Sequence, residues 1–97
     1  MVKVLHVNSG CRLSLQYHRV KREALFLGSG EAVVEIHADG KVIRDPMQTA
    51  VELPPCTVHR IVAIEDAEVV EVSSCELNDV VRLADDYGRV ESSALSE

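Results

Sequence analysis

The sequence predicts an all-β fold, a sandwich or barrel of short strands. Two observations predict it. Turn signals recur at roughly eight- to twelve-residue spacing, from NSG at 8–10 through GSG at 28–30, ADGK at 38–41, DP at 45–46 and PPC at 54–56 to EDAE at 65–68, as they do in such folds. Apolar residues make up 46% of the chain, yet aromatic residues only 3% with no Trp. Val, Leu, Ile and Ala must therefore pack the core, and a β-branched bias favours strands over helices.

The strands follow in order. VKVLHV at 2–7 ends at NSG, RLSLQYH at 12–18 ends at the VKR connection, and EALFLG at 23–28 runs into GSG. EAVVEIH at 31–37 and KVIR at 41–44 flank ADGK, the best hairpin signal because Asp-Gly takes the positive φ values of a tight turn. QTAVEL at 48–53 stops at two prolines, HRIVA at 59–63 stops at EDAE, and EVVEVS at 68–73 completes the set. After SSCELND, Val80, Val81 and Leu83 group behind acidic residues, which predicts a short C-terminal helix or turn. Residues 90–97 read as a flexible tail. At 97 residues, with no repeat or linker, the chain is expected to be a single domain, 1–97, with its core at about 2–89.

Charge and cysteine usage narrow the function. A formal charge of −6 without a Lys/Arg run argues against nucleic acid, since counterion release needs a cationic face. Partners are expected to be small molecules or protein. No apolar run approaches a membrane span, and the N-terminus lacks the long apolar segment of a signal peptide, so a cytoplasmic protein is expected. Cys11, Cys56 and Cys75 lack CxxC spacing and read as reduced, buried thiols; a three-thiolate metal site is the remote alternative.

One cluster of polar residues breaks the apolar pattern. Residues two apart in a strand share a face, so Gln16 and His18 point together. If the next strand pairs back antiparallel after VKR, Glu23 comes beside them, on the face of Leu25 and Leu27. A carboxylate aimed at an apolar interior is costly unless its charge is compensated, and a metal ion does that. His59 follows LPPCTV, whose prolines restrict the approach to its strand. Imidazole, carboxylate and amide oxygen suit a divalent Zn, Mn, Fe, Ni or Co ion. His6 and His37 have no partner at ligand spacing and read as solvated or structural.

These residues carry a resemblance. Gly10, Gln16, His18, Glu23 and Gly30 stand at the spacings of the first cupin motif, with Gln in place of its first His; Pro54, Cys56 and His59 match the second. Gln48, Cys56 and Ala63 depart from it, Cys56 standing where an inner Gly is usual. RLSLQYH, Glu23, SGEAVVE, the Pro54 to Arg60 pattern and DVVRLADDYGR at 79–89 together resemble the cupin domain of type II mannose-6-phosphate isomerases, over roughly residues 10–89.

The resemblance implies a small RmlC-like jelly-roll β-barrel, a metal held by Gln16, His18, Glu23 and His59, and aldose/ketose isomerisation of a sugar phosphate. It gives Arg89 a catalytic and substrate-binding role, the rival being a salt bridge to Asp85 or Asp86, and it offers Arg12 as a second phosphate ligand. It also implies a homodimer. Lys21, Arg22 and Arg60 read as surface charges, with a local anion-binding rim beside the motif as the alternative, for which Lys21 and Arg22 are the weaker candidates; Cys56 reads as buried against its turn, the lesser reading being a redox-sensitive contact near the metal. Two alternatives stand beside isomerisation: a non-catalytic module binding metal and sugar, and a small Fe(II) dioxygenase.

Overall fold

The computed structural model describes residues 1–74 and 79–86. Among the described residues nine strands are formed: β1 (Val2–Val7), β2 (Leu15–His18), β3 (Glu23–Ser29), β4 (Ala32–Ala38), β5 (Lys41–Asp45), β6 (Val51–Leu53), β7 (Val58–Ala63), β8 (Ala67–Ser73) and β9 (Val80–Ala84). They make a four-stranded sheet ordered β1-β8-β3-β6 and a five-stranded sheet ordered β5-β4-β7-β2-β9. All pairings are antiparallel.

Successive strands alternate between the two sheets, except for the β4–β5 hairpin. That hairpin turns at Asp39 (φ 53°) and Gly40 (φ 74°) and pairs Ala38 with Lys41. Positive φ at both central residues matches the right-handed twist of the flanking strands, so the Asp-Gly signal gave the correct turn.

Alternation of strands makes a sandwich whose core draws on both sheets. Leu25, Val51, Leu53 and Val69 from one meet Val34, Ile61 and Ala63 from the other. Leu25, Leu53, Val34 and Val69 are the largest fully buried side chains, each contributing about 1.5–3 kcal/mol through removal from water.

Two expectations are corrected. Val80–Ala84 is a strand rather than a helix: β9 pairs with β2, matching Tyr17 with Val81 and His18 with Val80. Its β-branched residues gain a ladder and a covered face, which local signals cannot reveal. Nor do β2 and β3 form a hairpin. β2 lies between β7 and β9, whereas β3 lies between β8 and β6 in the opposite sheet. The chain crosses the sandwich between them, and Asp79 secures the crossing by accepting the backbone N–H groups of Val20 (2.7 Å) and Lys21 (2.8 Å). The expected tail at 90–97 lies outside the described residues.

Candidate metal centre

The four residues singled out for metal binding are delivered by three strands, β2, β3 and β7. On β2, Gln16 and His18 turn inward, Gln16 standing opposite His59 of β7 on one side and Arg82 of β9 on the other. Glu23 opens β3 in the facing sheet, pairing with Leu53 and Ser73, and is buried together with Leu25. Glu23 thus reaches His18 from across the sandwich, on the face shared with Leu25 as expected but from the opposite sheet.

His59 is placed by the turn before β7. The N–H of Thr57 donates to the Pro54 carbonyl, and the N–H of Cys56 donates to the His18 carbonyl at 2.6 Å, which ties this turn to the end of β2. Cys56 adopts φ 68°, a left-handed conformation that favours glycine. The position thus takes a glycine-like conformation, with the strain carried by a cysteine. Cys56 is exposed, not buried as expected.

His18, Glu23 and His59 are all buried, and one ligand atom from each lies within 4.8 Å of the others. The His18 and His59 rings are 5.8 Å apart at 41°. His59 Nδ1 lies 2.8 Å from the Thr57 carbonyl, and donation there leaves Nε2 to offer its lone pair to the cluster. His18 Nε2 contacts Glu23 Oε1, while His18 Nδ1 is buried with no hydrogen bond. Ser14 Oγ donates to Gln16 Oε1 at 2.5 Å, and the Gln16 amide nitrogen is 3.4 Å from His18 Nε2.

Burial pushes the Glu23 carboxyl up, but the His18 hydrogen bond and the nearby His18, His59 and Lys21 charges outweigh it and hold the group below the usual carboxylate range. Burial pushes His59 down, more than its Thr57 bond and Glu23 raise it. The site thus favours an ionised carboxylate beside a neutral imidazole, the forms that bind metal. Two nitrogens and an oxygen, buried and converging, fit a first-row divalent ion.

Arg12 is brought elsewhere: it is exposed, and its Nε and Nη2 donate to the two carboxylate oxygens of Asp86 at 3.1 and 2.9 Å. Arg89 lies outside the described residues, as do Cys75 and Tyr87. His6 pairs with Glu68 at 3.1 Å and His37 lies 3.5 Å from Glu35, both away from the cluster.

Sequence reasoning missed two further features. Lys21 and Arg60 are buried rather than surface charges. Lys21 meets Glu71 at 3.4 Å, and Arg60 Nε donates to the Leu13 carbonyl at 2.9 Å. Glu71 shares an inward face with Val69 and Ser73, so the alternation in EVVEVS carried for Glu71 the same signal that singled out Glu23. A cavity of about 50 Å³ reaches Ser14, Gln16, Glu23, His59 and Glu71.

The strand order and the alternating crossings are those of an RmlC-like cupin, the jelly-roll or double-stranded β-helix fold. No protein-family model matches the chain. It is 33% identical over 99 residues to the alginate biosynthesis protein AlgA of Pseudomonas aeruginosa, an alignment covering 97% of this chain and 20% of AlgA. The chain therefore spans one fifth of the length of that curated relative. Among solved structures it resembles the QdtA 3,4-ketoisomerase of Thermoanaerobacterium thermosaccharolyticum, solved in complex with TDP, at a TM-score of 0.73 and 12% identity over 99% of this chain and 73% of that one. A conserved Klebsiella pneumoniae protein with a double-stranded β-helix domain matches at a TM-score of 0.70 and 20% identity, over 84% of this chain and 67% of that one.

Proposed function

We propose that the protein is a metal-dependent isomerase interconverting an aldose phosphate and a ketose phosphate, with Gln16, His18, Glu23 and His59 holding one divalent Zn, Mn, Fe, Ni or Co ion. The observation that carries this reading is the convergence of two buried imidazoles and a buried carboxylate within 4.8 Å. The likeness to AlgA and to a sugar ketoisomerase supports the substrate class.

A bound ion there supplies Lewis acidity to the adjacent oxygens of an α-hydroxy carbonyl compound. The chain's own residues set up the rest. The Thr57 carbonyl orients His59, and His18 and Glu23, in contact across the sandwich, would hold the ion together with it. A half-turn of the Gln16 amide, whose oxygen and nitrogen are assigned from hydrogen bonding, would present its oxygen as a fourth ligand. Arg89 and Arg12 belong to the proposal by sequence resemblance, Arg89 as the group meeting the reacting substrate.

The test is incubation of protein loaded separately with each metal with mannose 6-phosphate and with fructose 6-phosphate. Interconversion that disappears on chelation supports the assignment. Saturable binding with every metal and turnover with none replaces it by binding without catalysis, which the small volume of the cavity at Glu23 and His59, about 50 Å³, favours as the second reading. Oxygen uptake by the iron-loaded protein with a diketone or thiol would move it to Fe(II) dioxygenase chemistry.

A homodimer in the cytoplasm completes the proposal. Among the described residues, β1 and β6 bound one sheet and β5 and β9 the other, and strand edges of this kind invite pairing across a two-fold axis. Cys11 and Cys56 are free thiols, as a reducing compartment keeps them. A monomer in sizing experiments at micromolar concentration would contradict the dimer.

A further inference from the structure

Isomerisation of an α-hydroxy carbonyl compound moves a proton between two neighbouring carbons, so it needs a base beside the cluster that is not itself a metal ligand. Two cavities adjoin the cluster. The inner one, of about 50 Å³, reaches Ser14, Gln16, Glu23 and His59, and the outer one, of about 170 Å³, reaches Gln16, His18, Lys21 and Val80. Among the described residues, Gln16 and Glu71 line both. Glu71 is also the one carboxylate or imidazole in either lining that stands outside the His18–Glu23–His59 cluster.

Strand register explains this placement. Glu23 of β3 pairs with Ser73 of β8, and Leu25 pairs with Glu71. Glu23 and Glu71 are therefore diagonal neighbours on the inner face of one sheet, at the roughly 7–8 Å usual for such positions. Glu71 is buried, as is its partner Lys21, whose Nζ lies 3.4 Å from Glu71 Oε2. That oxygen has no hydrogen bond. Desolvating two charges costs about as much as their attraction returns, and well-packed apolar residues in their place are often neutral or stabilising. A carboxylate kept at this depth is better explained by chemistry than by stability.

We infer that Glu71 is the proton-transfer base of the proposed isomerase, acting on a sugar phosphate whose reacting end occupies the outer cavity. The inference rests on the isomerase reading of the cluster. A Glu71 carboxylate oxygen removes the proton from the hydroxyl-bearing carbon of the aldose phosphate. The electron pair of the broken C–H bond becomes the second bond between the two carbons, and the carbonyl oxygen takes the negative charge on the side of the cluster. Glu71 then returns the proton to the neighbouring carbon while the hydroxyl proton passes to the other oxygen, so aldose becomes ketose without oxidant or reductant. Lys21 holds the carboxylate at the cavity wall, and its ammonium, which only donates, cannot itself be the base. The outer cavity exceeds several-fold the roughly 30 Å³ that a water occupies in the liquid, which leaves room for the two reacting carbons and their oxygens.

The test combines turnover between mannose 6-phosphate and fructose 6-phosphate with three readouts that do not depend on it: metal content, calorimetric affinity for fructose 6-phosphate, and the melting temperature of metal-free protein. Glu71→Gln is expected to lower kcat about 10²–10⁴-fold, the range of general base catalysis, with unchanged metal content and fructose 6-phosphate affinity within about threefold of wild type. Glu71→Asp, which keeps the carboxylate, should recover part of the rate. Because Glu71→Gln strips Lys21 of its partner and lowers the melting temperature, the double variant Lys21→Met with Glu71→Gln separates the two roles. Its melting temperature should return to that of wild type or above, while turnover stays lost. Wild-type kcat in Glu71→Gln, or a double variant that regains turnover together with stability, would overturn the base and leave the isomerase reading standing. Wild-type protein that takes up metal and binds fructose 6-phosphate without turnover overturns the isomerase reading, and the base with it.

Discussion

Gln16 on β2 stands directly opposite His59 on β7. That single cross-strand pair joins the two sequence motifs of the candidate site, because His18 lies two residues further along the same face of β2. The site is thus assembled by strand register, with Glu23 added from the facing sheet.

His59→Ala removes one of two imidazoles and leaves His18 and Glu23 with an incomplete set. Metal affinity is expected to fall by about 100-fold or more, beyond the effect of losing a supporting hydrogen bond. Wild-type protein at a metal concentration near 100 times its Kd should gain about 2.7 kcal/mol of stability, reversed by chelator, and the variant at the same concentration about 0.4 kcal/mol or less. Equal metal-induced shifts in melting temperature in the two proteins would exclude His59 from the site.

The glycine that closes the first motif is predicted to be far less tolerant than the one that opens it. A Cβ at Gly30 would lie 1.9 Å from the Asp66 carbonyl oxygen, on top of a φ of 79°. Gly30→Ala should cost about 3 kcal/mol or more, since backbone must move. At Gly10, φ is 78° but nothing lies within 4 Å of the added carbon, so Gly10→Ala should cost only the left-handed term less the entropy glycine gives up in the unfolded chain, about 0.5–1 kcal/mol. Urea midpoints of the two variants make the comparison.

Cys56→Gly is expected to stabilise the protein. The left-handed backbone at φ 68° costs a side-chain-bearing residue about 1–2 kcal/mol, while glycine gives back about 0.5–1 kcal/mol in the unfolded chain. The net gain should be about 0.5–1 kcal/mol in chemical denaturation. A loss would mean that the Sγ contact to the Arg19 carbonyl, at 3.9 Å, outweighs the strain.

Asp79 makes the crossing from β2 to β3 sensitive to acid. Desolvation raises its pKa, but hydrogen bonds from the Val20, Lys21 and Arg19 amides outweigh this and hold the carboxylate below its ordinary value of 3.8. The unfolded chain therefore takes up this proton more readily, and stability rises with pH in that window. The contribution is full above pH 3.8 and is lost as pH falls through the lower folded-state value. Asp79→Asn should lower the melting temperature at pH 7 and flatten its decline below pH 4; an unchanged acid profile would remove Asp79 from that role.

Much of the site was legible because its signals are local. Inward-facing Gln16, His18 and Glu23 interrupt apolar alternation, and Asp39-Gly40 dictates its own turn. The same logic applied to EVVEVS would have found Glu71. Lys21 was not legible, because its burial depends on Glu71 coming from β8 and on a crossing held by Asp79. Arg12 was drawn toward the site by the motif, yet Asp86, far along the chain, holds it on the outside.

Composition and alternation by themselves determined strands, turns and the identities of the inward polar residues, because a strand's two faces are written in every second residue. Tertiary structure alone decided which sheet each strand joined, made β9 a strand by offering it the edge of β2, and paired Lys21 with Glu71 beside the candidate site. The physical reason is that pairing and burial depend on neighbours distant in the chain, which no local pattern encodes.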